Sequence, residues 1–167
     1  MAAPLGARGG GVSLVLQPPL EFILRQSGAF RRSLLNLGPL WARFKSEMSA
    51  IEEERFSSEG YGEWDPLADS TLRQRARLGF GPGPILQRTR NLMDSLVDPA
   101  RAAQTSARTM SWGTDVSYAG FHQDGGSIAG RPPQRVILEV RAEDRRRLET
   151  QMVSWINEVA ARTWGRV

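Results

Sequence analysis

The residue best suited to chemistry in this sequence is His122, the only histidine among 167 residues. Its neighbours Tyr118, Gln123 and Asp124 carry groups that can form hydrogen bonds with an imidazole. A histidine beside a carboxylate could serve a hydrolase as a general base, yet no serine stands in the Gly-X-Ser-X-Gly pattern that exposes a nucleophile. A lone histidine is more often a hydrogen-bonded structural residue, so the sequence favours a protein that is not an enzyme.

The composition removes several other kinds of site. There is no cysteine, which excludes disulfides, thiolate metal sites and cysteine nucleophiles, and a single histidine excludes multi-histidine metal sites. We therefore predict no metal and no cofactor. No run of about 18 apolar residues occurs and the first eleven residues lack a signal-peptide core, so we expect no membrane partner and a cytoplasmic place of synthesis.

The basic residues allow two interpretations. The net charge is +4, and almost all of the positive side chains are arginines. Arg145, Arg146 and Arg147 form a consecutive basic run, which is either a solvated helix face or a contact with DNA or an acidic partner. A small basic nucleic-acid-binding module remains an alternative function, although no helix-turn-helix or zinc finger is recognisable.

The elements that must position these residues are mostly helical. Residues 1–19 predict a flexible segment with a possible short strand at Val12–Leu16, and residues 20–167 predict one domain. Apolar side chains three or four residues apart and helix-start signals predict several helices. The first two helices begin at Leu20 and at Pro39. A third runs from Pro66 to Arg77 with Asp65 as its N-cap, and a fourth spans Arg90–Leu96 with Thr89 as its N-cap. The last helix spans Glu143–Arg162.

The strand signals are weaker and fewer. Thr105–Trp112 and Arg135–Val140 predict strands, and Val116–Ala119 predicts either another strand or the entry to a helical turn. Asp124–Pro133 reads as a loop. The order of elements predicts an α+β fold with N-terminal helices, a small antiparallel sheet and a long C-terminal helix.

Four blocks in the middle of the chain resemble the phage virion morphogenesis family, also called tail completion proteins, of Mu-like tailed phages. The first block has a phenylalanine, a short loop, a tryptophan and a proline-leucine pair, and the second has a leucine followed by a threonine. The third has a tyrosine-alanine pair and a histidine-glutamine pair, and the fourth has a proline and an arginine at the start of a strand. These blocks are Phe56–Thr71, Ile85–Leu96, Tyr118–Gly125 and Arg131–Leu138. One departure is Arg90, which stands where the family pattern has glycine at a tight turn, a position that a non-glycine residue resists.

The resemblance implies a structural virion protein that completes or terminates the tail at the head–tail junction. It also implies partners: copies of itself in a ring such as a hexamer, tail tube and head–tail connector proteins, and possible contact with packaged DNA. The implied location is the tail or neck of the virion, after assembly in the host cytoplasm.

The candidate residues fall into three groups. Exposed loop residues are candidate assembly contacts, namely Gln123, Asp124, Arg131 and Arg135. Residues in packed turns are candidate structural anchors, namely Trp64, Leu86, Thr89, Tyr118 and His122. The run Arg145, Arg146 and Arg147 is the candidate basic contact.

Overall fold

A computed structural model describes residues 20–126 and 132–165, so the predicted strand at Val12–Leu16 and the residue Arg131 lie outside the described residues. The fold is α+β, as predicted. Its elements, in chain order, are α1 (Leu20–Leu35), α2 (Gly38–Ser57), α3 (Asp69–Arg77), α4 (Asn91–Val97), α5 (Pro99–Ala102), β1 (Ala103–Thr105), β2 (Met110–Trp112), α6 (Ala119–Asp124) and α7 (Ala142–Trp164).

Three long helices, α1, α2 and α7, pack together at one end of the protein. The predicted start of α2 at Pro39 is confirmed within one residue, because proline suits the first turn of a helix. Leu40, Trp155 and Val159 form the buried centre of this bundle. On α7, the helical spacing of Met152, Trp155 and Val159 predicts that all three are buried, and this is wrong at Met152, which is 38% exposed.

A second core lies around the C-terminal half of α2 and the short helix α4. Its buried side chains come from five different segments of the chain, and for this reason no single periodic pattern in the sequence predicts this core. They are Phe56, Trp64, Ile85, Leu92, Met93, Leu96, Ala119 and Ile137. The predicted inner side of α4, which contains Leu92, Met93 and Leu96, is confirmed.

The predicted caps of α3 and α4 are wrong. Helix α3 begins at Asp69, after the N-cap residue Ala68, and Asp65 does not cap it. Helix α4 follows Arg90, which has a φ of 58° and forms no side-chain cap, so Thr89 does not cap it either. Arg90 therefore adopts the left-handed turn without glycine, at a local conformational cost that the packing of the buried α4 must offset.

The predicted strand Thr105–Trp112 is instead a hairpin of two three-residue strands. β1 and β2 pair antiparallel with Ala103 opposite Trp112. The chain reverses because the Ser106 N–H donates to the Thr109 carbonyl at 2.8 Å and the two hydroxyls lie 2.7 Å apart. Of the two alternatives for Val116–Ala119, the helical turn is confirmed, since it leads into α6.

Candidate assembly cleft

A cleft of about 950 Å³ opens between α3, the turn before α4, α6 and the segment that includes Pro132, Pro133 and Arg135. All four of the sequence blocks that resemble the family contribute to its wall. Its lining residues are Asp65, Pro66, Leu67, Ala68, Ser70, Thr71, Gln74, Arg75, Leu86, Arg88, Thr89, Tyr118, His122, Pro132, Pro133 and Arg135. The cleft thus brings together four of the five predicted anchors, namely Leu86, Thr89, Tyr118 and His122.

The fifth anchor, Trp64, is buried beneath the floor of the cleft. Its indole is 7% exposed and meets the ring of Phe56 edge-on at 5.4 Å between centroids. The indole N–H donates to the Val136 carbonyl at 3.1 Å. Gly60 has to be glycine here, because a Cβ at that position would lie 2.3 Å from the indole nitrogen.

Arg135 does not reach outwards as an assembly contact would. Its side chain is only 4% exposed, and its guanidinium donates to the Asp65 carbonyl at 2.7 and 3.3 Å. Burial lowers the pKa of Arg135, while Asp65 and Glu59 act in the opposite direction. The structure therefore gives Arg135 a partner within the chain, and this buried arginine joins the wall of the cleft to the loop after Trp64.

The predicted strand Arg135–Val140 is wrong, and Gln123 explains why. The Gln123 Oε1 accepts hydrogen bonds from the backbone N–H groups of Ile137 and Leu138, both at 3.0 Å. Its Nε2 donates to the Leu138 carbonyl at 3.1 Å. An extended segment needs partners for its backbone polar groups, and here the Gln123 amide supplies three of these hydrogen bonds instead of a neighbouring strand. Gln123, predicted as an assembly contact, is thus used inside the chain.

The turn between α3 and α4 is fixed by two hydrogen bonds to the segment around the C-terminal end of α2. The Glu59 carboxylate accepts from the Ile85 N–H at 2.9 Å, and the Gln87 amide donates to the Phe56 carbonyl at 2.7 Å. These bonds support Leu86, which lines the cleft with a φ of 59°. A non-glycine residue at positive φ persists only where surrounding contacts over-determine it.

His122 stands against Tyr118 at the side of the cleft. The two rings meet edge-on, with 6.2 Å between centroids, and Tyr118 is 40% exposed. Burial lowers the pKa of His122 below its usual value and the charge of Arg135 lowers it further, so the imidazole is neutral at pH 7. Within residues 20–126 and 132–165, its Nδ1 is buried without a hydrogen-bond partner, so no carboxylate orients this ring for catalysis.

The remaining predicted residues are scattered. Asp124 is exposed at the end of α6, and Arg145 and Arg146 are exposed on α7. Arg147 is engaged within the chain, because its Nε lies 2.6 Å from a Glu47 carboxylate oxygen and its Nη1 lies 2.9 Å from one of Glu54. The basic run therefore does not act as a block of three free charges.

The described part of the chain lacks the groups that two other classes of site require. It holds no group of three or more acidic, histidine or cysteine side chains that could bind a metal. Among the helices in that part, none has the length and apolar character to span a membrane. The cleft, whose lining combines apolar and hydrogen-bonding groups, is a candidate binding site.

Sequence comparison agrees with the geometry. The profile of the phage virion morphogenesis family matches residues 21–157. This chain belongs to the phage virion morphogenesis family. It is thus a component of a phage virion with a role in virion structure or assembly, and it associates with other virion components. No curated protein and no solved structure gives a significant match to the chain.

The family member's cleft includes residues that sequence reasoning missed. Arg75 is 5% exposed, and its guanidinium donates hydrogen bonds to the carbonyls of Gly83 and Pro84. Its position in an arginine-rich helix is nevertheless typical of a solvated residue. Arg55 and Glu52 of α2 are also fully buried, although the surrounding sequence is rich in charged residues. No local pattern signals burial of such residues, because their partners come from distant segments.

Proposed function

We propose that this family member completes or terminates the tail of a tailed phage at the head–tail junction, as a ring of several copies. In this proposal it has no catalytic step, and its other partners are tail tube and connector proteins in the tail or neck. The observation that carries the proposal is the open cleft, because the four blocks that mark the family all converge on it.

A ring requires one surface of each copy to fit a different surface of its neighbour. The cleft is concave and combines apolar groups from Leu67, Leu86 and Pro133 with hydroxyls such as that of Thr71. A concave surface of this kind suits a convex element of the adjacent copy. We place the assembly contacts on the cleft and its exposed neighbour Asp124.

The test is the absolute mass of the purified protein by light scattering, alone and with tail tubes. Wild type is expected to form a closed ring or to bind tube ends. Ser70→Trp fills the cleft from an exposed position of α3 and should leave a monomer that ignores tubes. Ser111→Trp is the matched control, since it adds the same bulk to the exposed face of β2, away from the cleft.

Two results would contradict the proposal. A ring that forms equally well with Ser70→Trp would remove the cleft from the interface. A wild-type monomer that never associates with tubes, yet binds DNA in low salt, would favour the second candidate function, a small basic nucleic-acid-binding module. That candidate is motivated by the exposed Arg145 and Arg146.

A further inference from the structure

The excess positive charge of this protein is concentrated in one short stretch. Residues 66–93 contain five arginines and a single acidic residue, Asp69, so their net charge of +4 equals that of the whole chain. This stretch comprises α3, the loop that follows it and the start of α4. The rest of the chain is therefore neutral on balance.

Three of these arginines have no partner of opposite charge. Arg73, Arg77 and Arg88 are exposed and form no ion pair within the described parts of the chain. We call these three residues the arginine face. Arg90 differs, since its guanidinium lies 3.7 Å from the Asp94 carboxylate. The arginine face is thus a set of unneutralised guanidinium groups, the kind of surface that attracts anions.

The buried arginine of α3 builds the support for this face. Arg75 is buried, and its guanidinium donates to the Gly83 carbonyl at 2.7 Å and to the Pro84 carbonyl at 3.2 Å. The Phe80 N–H donates to the Arg75 carbonyl at 2.9 Å. These hydrogen bonds connect α3 to the loop at Phe80 and at Gly83 and Pro84. The loop is therefore held in place before any ligand binds.

That support also positions Arg88. Its guanidinium lies over the ring of Phe80, 5.6 Å from the centroid. A cation on an aromatic face is attracted by the ring and loses less side-chain freedom on binding a ligand. Arg73 and Arg77, four residues apart, share one side of α3. Helix and loop together therefore present the arginines from one scaffold.

We infer that the arginine face binds the phosphate backbone of nucleic acid, beside the subunit contact of the proposed ring, since Arg88 also lines the cleft whereas Arg73 and Arg77 do not. Guanidinium forks match phosphate oxygens, and a virion component assembles in a particle that contains a genome. A second copy of the chain is a poorer occupant. The densest acidic run, on α2, is largely matched internally, with Glu47 and Glu54 bound by Arg147 and Glu52 buried with Arg55.

The experiment measures binding of the full-length protein to a short fluorescein-labelled DNA duplex of arbitrary sequence by anisotropy at increasing salt. Three phosphate contacts predict a slope of log affinity against log salt of about −2.7, or an affinity about 40-fold lower at 200 mM than at 50 mM salt. Replacing Arg73, Arg77 and Arg88 with Gln should abolish this slope. Replacing them with Lys should retain it, because charge is kept.

The matched control replaces three exposed arginines elsewhere, Arg31, Arg101 and Arg108, with Gln, which changes the net charge by the same amount. It should bind DNA within about threefold of wild type. An equal loss in both triple variants would show an effect of net charge alone and overturn the site. The inference also fails if wild type does not bind duplex at about 50 mM salt, or if it binds polyglutamate as tightly as DNA.

Discussion

Trp64 and Arg135 each donate a hydrogen bond to the backbone beside the other. The Trp64 indole N–H reaches the Val136 carbonyl at 3.1 Å, and the Arg135 guanidinium reaches the Asp65 carbonyl at 2.7 Å. The two bonds run in opposite directions between segments about 70 residues apart in sequence. This reciprocal pair closes the floor of the cleft and links the first and last of the four family-like blocks.

Removing either donor should destabilise the protein by a different amount. Arg135→Met loses hydrogen bonds from a charged donor and should lower the free energy of unfolding by about 2–3 kcal/mol. Trp64→Phe loses one neutral hydrogen bond and some buried ring area, and should lower it by about 1–2 kcal/mol. Urea unfolding of both single variants and the double variant measures this. Strictly additive losses would show that the two bonds do not act together.

Gly60 should tolerate alanine far less than Gly62 does. Both glycines have positive φ, 69° and 81°, but only at Gly60 would a Cβ collide with the indole of Trp64, whereas nothing lies within 4 Å at Gly62. Gly62→Ala should therefore cost only the backbone strain, about 1 kcal/mol, and Gly60→Ala should cost at least about 2 kcal/mol more. Urea unfolding compares them, and equal losses would contradict the close approach of Trp64.

Replacing Gln123 should loosen the segment that it holds. Gln123→Leu removes three hydrogen bonds to the backbone of Ile137 and Leu138, and we expect a loss of about 2–3 kcal/mol. Amide hydrogen exchange at Ile137 and Leu138 should become faster. Gln134→Leu is the control, because this exposed residue makes a single bond, to the Gln123 carbonyl. Unchanged exchange in Gln123→Leu would mean that another group serves these amides.

Glu52 should make stability depend on pH. Burial raises the pKa of Glu52 from 4.5 to about 7, although the charge of Arg55 opposes the rise, and the carboxylate lies 3.5 Å from the Arg55 guanidinium. The folded protein therefore binds a proton that the unfolded chain releases. The resulting stabilisation is complete below pH 4.5 and is lost as the pH rises through 7, a change on the order of 2–3 kcal/mol.

Glu52→Gln keeps the shape of the protonated acid and removes its titration. Urea unfolding at several pH values between 5 and 8 should show wild type losing stability relative to this variant as pH rises. The neutral His122 contributes the opposite trend, because its pKa is lowered, but it is present in both proteins and cancels in the comparison. Parallel pH profiles for the two proteins would contradict the protonation of Glu52.

The sequence by itself determined the class of fold, the long helices and the family. The start of α2 and the core residues of α4 follow from apolar spacing and proline placement, which act within one or two helical turns. The four blocks also identified the family-like segments, and most of the predicted anchors in them line the cleft. Their roles in assembly remain predictions.

Only the tertiary structure decided where the polar side chains find their partners. Arg135 and Gln123 look like exposed loop residues, yet both are hydrogen-bonded to backbone from other segments, and the apolar run after Arg135 pairs with a side chain instead of a strand. Arg147 is matched by α2, while Arg73, Arg77 and Arg88 have no acidic partner among residues 20–126 and 132–165. Short-range patterns cannot assign such pairs, because which group satisfies a buried donor depends on segments brought together by folding.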